Sequence, residues 1–165
     1  MFNKFLQGLQ LNKSRQLKRS RSGAVTLNGL KIKYLNGIST YYEYQDIFIK
    51  KIYHFETNKT DPIIIDAGGC IGMATLYFKT IHPQAKVIIF EPDPKVFSIL
   101  KFNMEQNNIK DVTTLNLGLR SEECVKDFYS DGSDGGSMVV HDNTRELIRV
   151  NIDRLSKYIN QPIDF

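Results

Sequence analysis

Between residues 62 and 117 the sequence alternates twice between short apolar runs and amphipathic stretches, and few folds accept that order. PIIID (62–66) is a wholly apolar run that ends in an acid, too short for a buried helix. Residues 71–81 follow with helical spacing, and AKVIIFE (85–91) is a second buried strand. Asp93 is a good N-cap and Pro94 suits a first helical position. Val96, Phe97, Leu100 and Met104 give the helix behind them an apolar face, and DVTTLNL (111–117) is a third strand. Strand, helix, strand, helix, strand implies right-handed crossovers and a parallel sheet, hence a doubly wound α/β fold.

The flanks are of a different kind. AVTLNGLKIKYL (24–35) reads as a hairpin turning at Asn28-Gly29, and a second Asn-Gly pair follows at Asn36-Gly37. Ile47, Phe48, Ile52 and Phe55 mark one face of a helix expected over about 44–56, before a loop at 57–62. DGSDGGS (131–137) is turn chemistry between extended runs near 124–129 and 146–152. The expected organisation is a basic arm (1–23), a hairpin and helix leading into the core (24–61), and the core itself (62–165).

Charge separates the arm from the body. Lys4, Lys13, Arg15, Lys18, Arg19 and Arg21 give residues 1–23 a charge of +6 with no acid, while the whole chain is +4, so the remainder carries −2. Phe2, Phe5, Leu6 and Leu9 fall at helical spacing, so residues 2–11 are expected to form a short amphipathic helix. Such an arm is either a solvated tail or a binding element for nucleic acid or anionic lipid. No apolar run approaches the roughly 18 residues of a membrane span, and nothing resembles a secretory leader. Cys70 and Cys124 form no disulfide framework and no CxxC, which suits a reducing, cytoplasmic setting with Cys70 as a small apolar filler.

The stretch IIIDAGGCIG (63–72) carries the chemistry. A dinucleotide fingerprint begun at Gly68 would put Cys70 where its second glycine belongs, the one that admits a pyrophosphate. No Gly-Lys-Ser/Thr follows, so a P-loop fails as well. What remains is Asp66-x-Gly68-x-x-x-Gly72, in which the carboxylate disfavours phosphate. S-adenosylmethionine carries a sulfonium and an ammonium, and a turn at Gly68 and Gly72 admits its methionine half, with Asp66 organising the loop or meeting the ammonium. The plain alternative is a glycine-rich strand-to-helix turn with a local aspartate cap. Glu91 ends the second strand 23 residues beyond Gly68, a suitable spacing for a carboxylate that accepts from two ribose hydroxyls. Asn116, at the end of the third strand, is placed either to bond an adenine edge or to make a strand-end turn.

Residues 62–108 resemble the FkbM family of S-adenosylmethionine-dependent methyltransferases, through the aspartate-glycine loop, Ile71-Gly72, the Phe-Glu-Pro strand end and the helix bearing Leu100, Asn103 and Asn107. The resemblance runs more weakly over about 30–165. It implies a Rossmann-like class I methyltransferase fold and O-methylation of a hydroxyl on a sugar or natural product. Asp66, Gly68, Gly72 and Glu91 carry over as cofactor-site residues. The family often has asparagine where this chain has Cys70, a departure that removes a polar group near the cofactor. It also continues beyond the equivalent of Phe165, so the resemblance implies a sheet cut short here, with the far edge of 62–66 left largely uncovered. Self-association through that edge, or marginal stability, is the expectation.

No catalytic base carries over. Adjacent His141 and Asp142 do not make an orienting dyad, His54 and His82 read as ordinary helix or loop residues, and no cluster has metal-ligand spacing. The acceptor expected is a small-molecule or glycan hydroxyl. Nucleic acid is disfavoured, since no Asn-Pro-Pro-aromatic run is present. A noncatalytic remnant or binding module using the arm is the competing reading.

Overall fold

The computed structural model describes residue 10 and residues 12–131, 136, 138 and 145–165. Most of the segment 2–11, parts of the turn 131–137, and both His141 and Asp142 lie outside the described residues. Residues 12–17 form a short helix, α1, with Ser14 and Leu17 buried and Lys13 and Arg15 exposed. The later part of the basic arm is therefore seated on the body. Lys18 places its ammonium 4.2 Å from the centre of the Tyr41 ring.

Strands β1 (Gly23–Leu27) and β2 (Leu30–Tyr34) pair antiparallel. Asn28 and Gly29 between them both take positive φ, 51° and 82°. Two left-handed residues make the turn whose twist matches the strands, which is why Asn-Gly forms it. The second Asn-Gly works differently. Asn36 caps helix α2 (Gly37–Tyr44), its side chain accepting from the N–H groups of Ile38 and Ser39. The helix runs on as a π-helical turn over Gln45–Ile49.

The helix expected over 44–56 is therefore corrected: it starts seven residues earlier and stops by Ile49. The cap fixes the start, and the face it buries includes Thr40 and Tyr44, which hydrophobic spacing does not score. Lys51, at φ 57°, turns the chain out of the helix. Ile52 is left 56% exposed, whereas Phe55 packs from a loop, its ring stacked 4.9 Å from that of Phe165.

The alternating region forms β3 (Ile63–Ala67), α3 (Met73–Ile81), β4 (Lys86–Phe90), α4 (Pro94–Gln106) and β5 (Val112–Leu115). The strands are parallel in the order β3-β4-β5, so the chain is α/β as expected. Ile64, Val87 and Ile89 are buried in the same core cluster as Leu76 and Phe78 of α3 and Val96 and Leu100 of α4.

Two asparagines join α4 to the hairpin. Asn107 accepts from the Lys31 N–H at 2.8 Å and donates to the Lys31 carbonyl at 2.7 Å. One turn earlier, Asn103 accepts from the Lys33 N–H at 2.8 Å and donates to the carbonyls of Lys33 and Ile71, each at 2.9 Å. A primary amide offers the same donor and acceptor as a peptide group, so residues i and i+4 of a helix stand in for a neighbouring strand. Asn103→Ala should destabilise the fold by roughly 2 kcal/mol, because the buried Ile71 carbonyl loses its amide donor. Urea titration measures this, and a loss below about 0.5 kcal/mol would mean that water replaces the amide.

The far edge of β3 is not left as expected. The Asp164 N–H donates to the Ile63 carbonyl at 2.8 Å, and the Ile65 N–H to the Phe165 carbonyl at 3.0 Å. The Asp164 carboxylate also accepts from the Ile63 N–H at 2.9 Å and pairs with Lys59 at 2.7 Å. Three residues suffice because side chains fasten them: Phe165 lies among Phe55, Phe78 and Tyr53. The edge from Ile63 to Ile65 is therefore covered.

A second sheet, in the order β6-β8-β7, follows: β6 (Gly118–Leu119), β7 (Cys124–Ser130) and β8 (Glu146–Asp153). Its own small core is Phe128, Val150 and Ile152. Among the described residues no helix is long and apolar enough to cross a membrane.

Candidate functional site

Chain reversal between β3 and α3 brings the loop 68–72 over the end of β4. The N–H groups of Gly68 and Gly69 both donate to the Phe90 carbonyl at 2.9 Å. The next N–H, that of Cys70, donates to Glu91 Oε2 at 3.0 Å. In a phosphate-binding loop successive N–H groups point at the ligand. Here these three are spent on the neighbouring strand, which is why an acid and a glycine loop coexist.

The glycines divide by task. Gly68 has φ 91° and no other atom within 4 Å of where a Cβ would stand, so its open side faces free space. Gly69, absent from the sequence reading, is packed against the strand behind it: a Cβ there would lie 2.1 Å from Ile89 Cγ2. Gly72 caps α3 at φ 90° and packs against Met104. Cys70, itself at φ 47°, packs partly buried against the core as the small filler expected, and it also lines the cavity that the loop borders.

Glu91 is buried, and each of its oxygens takes one backbone N–H: Oε2 that of Cys70, and Oε1 that of Asp93 at 2.8 Å. Burial pushes its carboxyl up to about 7, against the opposing pull of those two N–H groups, and the nearby acids Asp93 and Asp66 add to the rise. Asp66, near the end of β3, accepts from the Thr75 hydroxyl at 2.8 Å. Burial raises it too, with the Thr75 bond acting against the rise. Its position is that of a loop organiser and helix clamp. Asp93 caps α4 as expected, accepting from the N–H groups of Lys95 and Val96.

Asn116 is directed inward. Its amide nitrogen donates to the carbonyls of Glu91 (2.8 Å) and Pro92 (3.0 Å), so it holds the ends of β4 and β5 together. This geometry favours the strand-end role over an adenine contact.

Two cavities meet at Gly68. One, of about 150 Å³, is lined by Gly68, Cys70, Glu91, Asp93, Phe128 and Gly136. The other, of about 270 Å³, is apolar, with Phe90, Pro92, Leu117, Leu119 and Met138 among its walls. Sequence reasoning missed Phe128, in β7, and Met138, which packs against the core of the second sheet, because neither carries a motif. His54 and His82 line a different cleft, at the end of the sheet where the parallel strands begin. Tyr77 and the Phe55 carbonyl are their hydrogen-bond partners. Among the described residues no group of three or more His, Cys, Asp or Glu side chains is placed to hold a metal.

No family model matches the chain. Methyltransferase 1 of Beauveria bassiana is 36% identical over 110 residues, covering 66% of this chain and 44% of that protein. Methyltransferase sdnD of Sordaria araneosa is 35% identical over 88 residues, covering 53% and 34% respectively. The chain thus spans less than half the length of these curated relatives. Among solved structures, the methyltransferase FkbM from Methylobacillus flagellatus aligns with 93% of this chain and 39% of its own, at 12% identity and a TM-score of 0.46. TYW2 of M. jannaschii, in complex with AdoMet, aligns with 68% and 65%, at 12% identity and a TM-score of 0.47. At those scores the structural likeness bears no functional weight, and the sequence likeness is the firmer finding: over 110 residues this chain is similar to a methyltransferase.

Proposed function

We propose that the chain is the cofactor-binding part of an S-adenosylmethionine-dependent methyltransferase of class I architecture, whose acceptor is a hydroxyl on a sugar or natural product. The observation that carries the reading is the pairing of Gly68 and Glu91. An open glycine and a buried carboxylate border one cavity at the ends of parallel strands, the place where ligands bind in such sheets. An ionised carboxylate has about four acceptor positions; two are taken by backbone N–H groups, and two remain for the hydroxyls of a ribose. The apolar cavity beside it suits a flat ring against Pro92 and Leu117. Asp66 shapes the loop that receives the methionine half, and Gly72 starts the helix behind it. When bound, the cofactor supplies an activated methyl group. The chain's part in transfer is to hold that group in line with the acceptor oxygen.

Calorimetry with S-adenosylmethionine, S-adenosylhomocysteine and NAD tests the assignment, with either of the first two expected to bind more tightly than NAD. Tighter binding of NAD would sink it. Glu91→Ala should weaken cofactor binding by roughly 1.5–3 kcal/mol, the range for hydrogen bonds to a charged group, in a protein that still folds. Unchanged affinity in the folded variant would remove the ribose assignment. The acceptor class is tested by methyl transfer to a panel of sugar and natural-product hydroxyls, and transfer to amine acceptors alone would rule it out.

A further inference from the structure

The wall of the cavity opposite the glycine loop comes from β7, and a hydrogen-bond chain ties it to the loop. Phe128 and Ser130 are buried on the same face of β7, two residues apart. Phe128 lines the cavity together with Glu91. The Ser130 hydroxyl donates to Asp93 Oδ2. The other Asp93 oxygen caps α4, and the Asp93 N–H holds Glu91 Oε1. Glu91 Oε2 in turn holds the Cys70 N–H. Three links thus run from the second sheet, through the start of α4 and the end of β4, to the loop, with the α4 cap branching off at Asp93.

We infer that Ser130 and Asp93 form a latch that seats β7 as one wall of the cofactor cavity and fixes the Glu91 carboxylate for its ligand. Both are positioning residues, and the inference rests on the cofactor reading above. Geometry favours this role over plain stability. A hydroxyl buried on a short two-sheet boundary could have been an apolar residue, as Phe128 is. Instead it meets the one carboxylate whose own N–H orients Glu91. Loss of the hydroxyl frees Asp93 to shift, and the Asp93 N–H then slips from Glu91. The groups facing Glu91 are Asp66 from β3, Cys70 from the loop and Asp93 from the α4 cap. With one donor fewer against the same acids, the protonated form of Glu91 is favoured.

The test uses the full chain and three variants. Ser130→Ala should weaken S-adenosylhomocysteine binding about tenfold and move the pH midpoint of that binding upward. Ser130→Thr, which restores a hydroxyl, should recover affinity to within about threefold. Ile47→Val, a core truncation in the π-helical turn away from the cavity, controls for lost stability and should leave affinity unchanged. Wild-type affinity and an unmoved midpoint in Ser130→Ala would overturn the latch. If the wild-type chain binds no cofactor, the functional reading fails, and hydrogen exchange without ligand still decides the latch. Faster exchange at the Asp93 and Cys70 amides in Ser130→Ala than in Ile47→Val upholds it, and equal exchange refutes it.

Discussion

Gly69→Ala is expected to destabilise the protein strongly, whereas Gly68→Ala, one residue earlier, should cost less stability and impair the site. At Gly69 a Cβ would stand 2.1 Å from Ile89 Cγ2 and 3.1 Å from Leu100 Cδ1. Ile89 and Leu100 are both fully buried. The Ile89 methyl is on a β-branched side chain inside the central strand β4, so no rotamer change makes room. The loop must lift, and lifting it breaks the bonds from Gly68 and Gly69 to the Phe90 carbonyl. Overpacking of this kind costs about 1–3 kcal/mol, and the lost bonds add to it. Against a total stability on the order of 5–15 kcal/mol, that is a large share. At Gly68 nothing obstructs a Cβ, so the cost is the left-handed backbone alone, about 1–2 kcal/mol. The added methyl projects at the junction of the two cavities and should reduce cofactor binding more than tenfold. Urea denaturation and calorimetry on the two variants make the comparison. Equal stability losses would show that the loop tolerates a side chain at Gly69.

Stability without ligand should fall as pH rises from 5 to 7.5. Glu91 titrates near 7 in the folded chain and near 4.5 when unfolded, because burial disfavours its charge. Between those values the native state binds more protons than the unfolded state, and stability then declines with rising pH. The contribution is fully present below about 4.5 and is lost by the time pH passes about 7. Its full size is roughly 2–4 kcal/mol, at 1.36 kcal/mol per unit. Asp66, also raised by burial, works in the same direction. Asp61, Asp153 and Asp164 are lowered by Lys86, Lys157 and Lys59. Their contribution is lost only as pH falls through the acid range, below the window that Glu91 governs. Glu91→Gln should flatten the pH dependence. It should also lower stability at pH 5, because an amide –NH2 cannot accept the N–H that a protonated carboxyl oxygen still accepts. Ribose hydroxyls bind the ionised form, so cofactor binding near pH 6 should release a proton, seen as a dependence of calorimetric heat on buffer ionisation. A melting midpoint that stays constant from pH 5 to 7.5 would contradict the burial of Glu91.

Which parts of this were legible beforehand follows from the range of the forces. Asn28-Gly29 and the Asp93-Pro94 cap were readable because each is satisfied within four residues of chain. The strands 63–67 and 86–90 were readable because each holds an unbroken apolar run, Ile63 to Ile65 and Val87 to Phe90, that is buried or half-buried along its length. The α2 helix was misplaced because its cap, Asn36, also fits a turn, and because the buried face of the helix includes Thr40 and Tyr44.

The sequence by itself determined that an aspartate-glycine loop follows one buried strand and that an acid ends the next. Local spacing and strand length decide that much. Only the tertiary structure decided what those groups do. Glu91 receives the loop N–H of Cys70 from 21 residues away, Ser130 reaches Asp93 across 37, and Asp164 covers the edge of β3 from 101. Asn103 and Asn107 look like weak helix formers until β2 is beside them, 70 and 76 residues away in sequence. The buried ones among these polar groups, Glu91, Asp93, Ser130 and Asn103, are paired because leaving a polar group unpaired in the interior costs more than ordering its partner. A local pattern cannot reveal a partner that only the packing of distant elements brings within 3 Å.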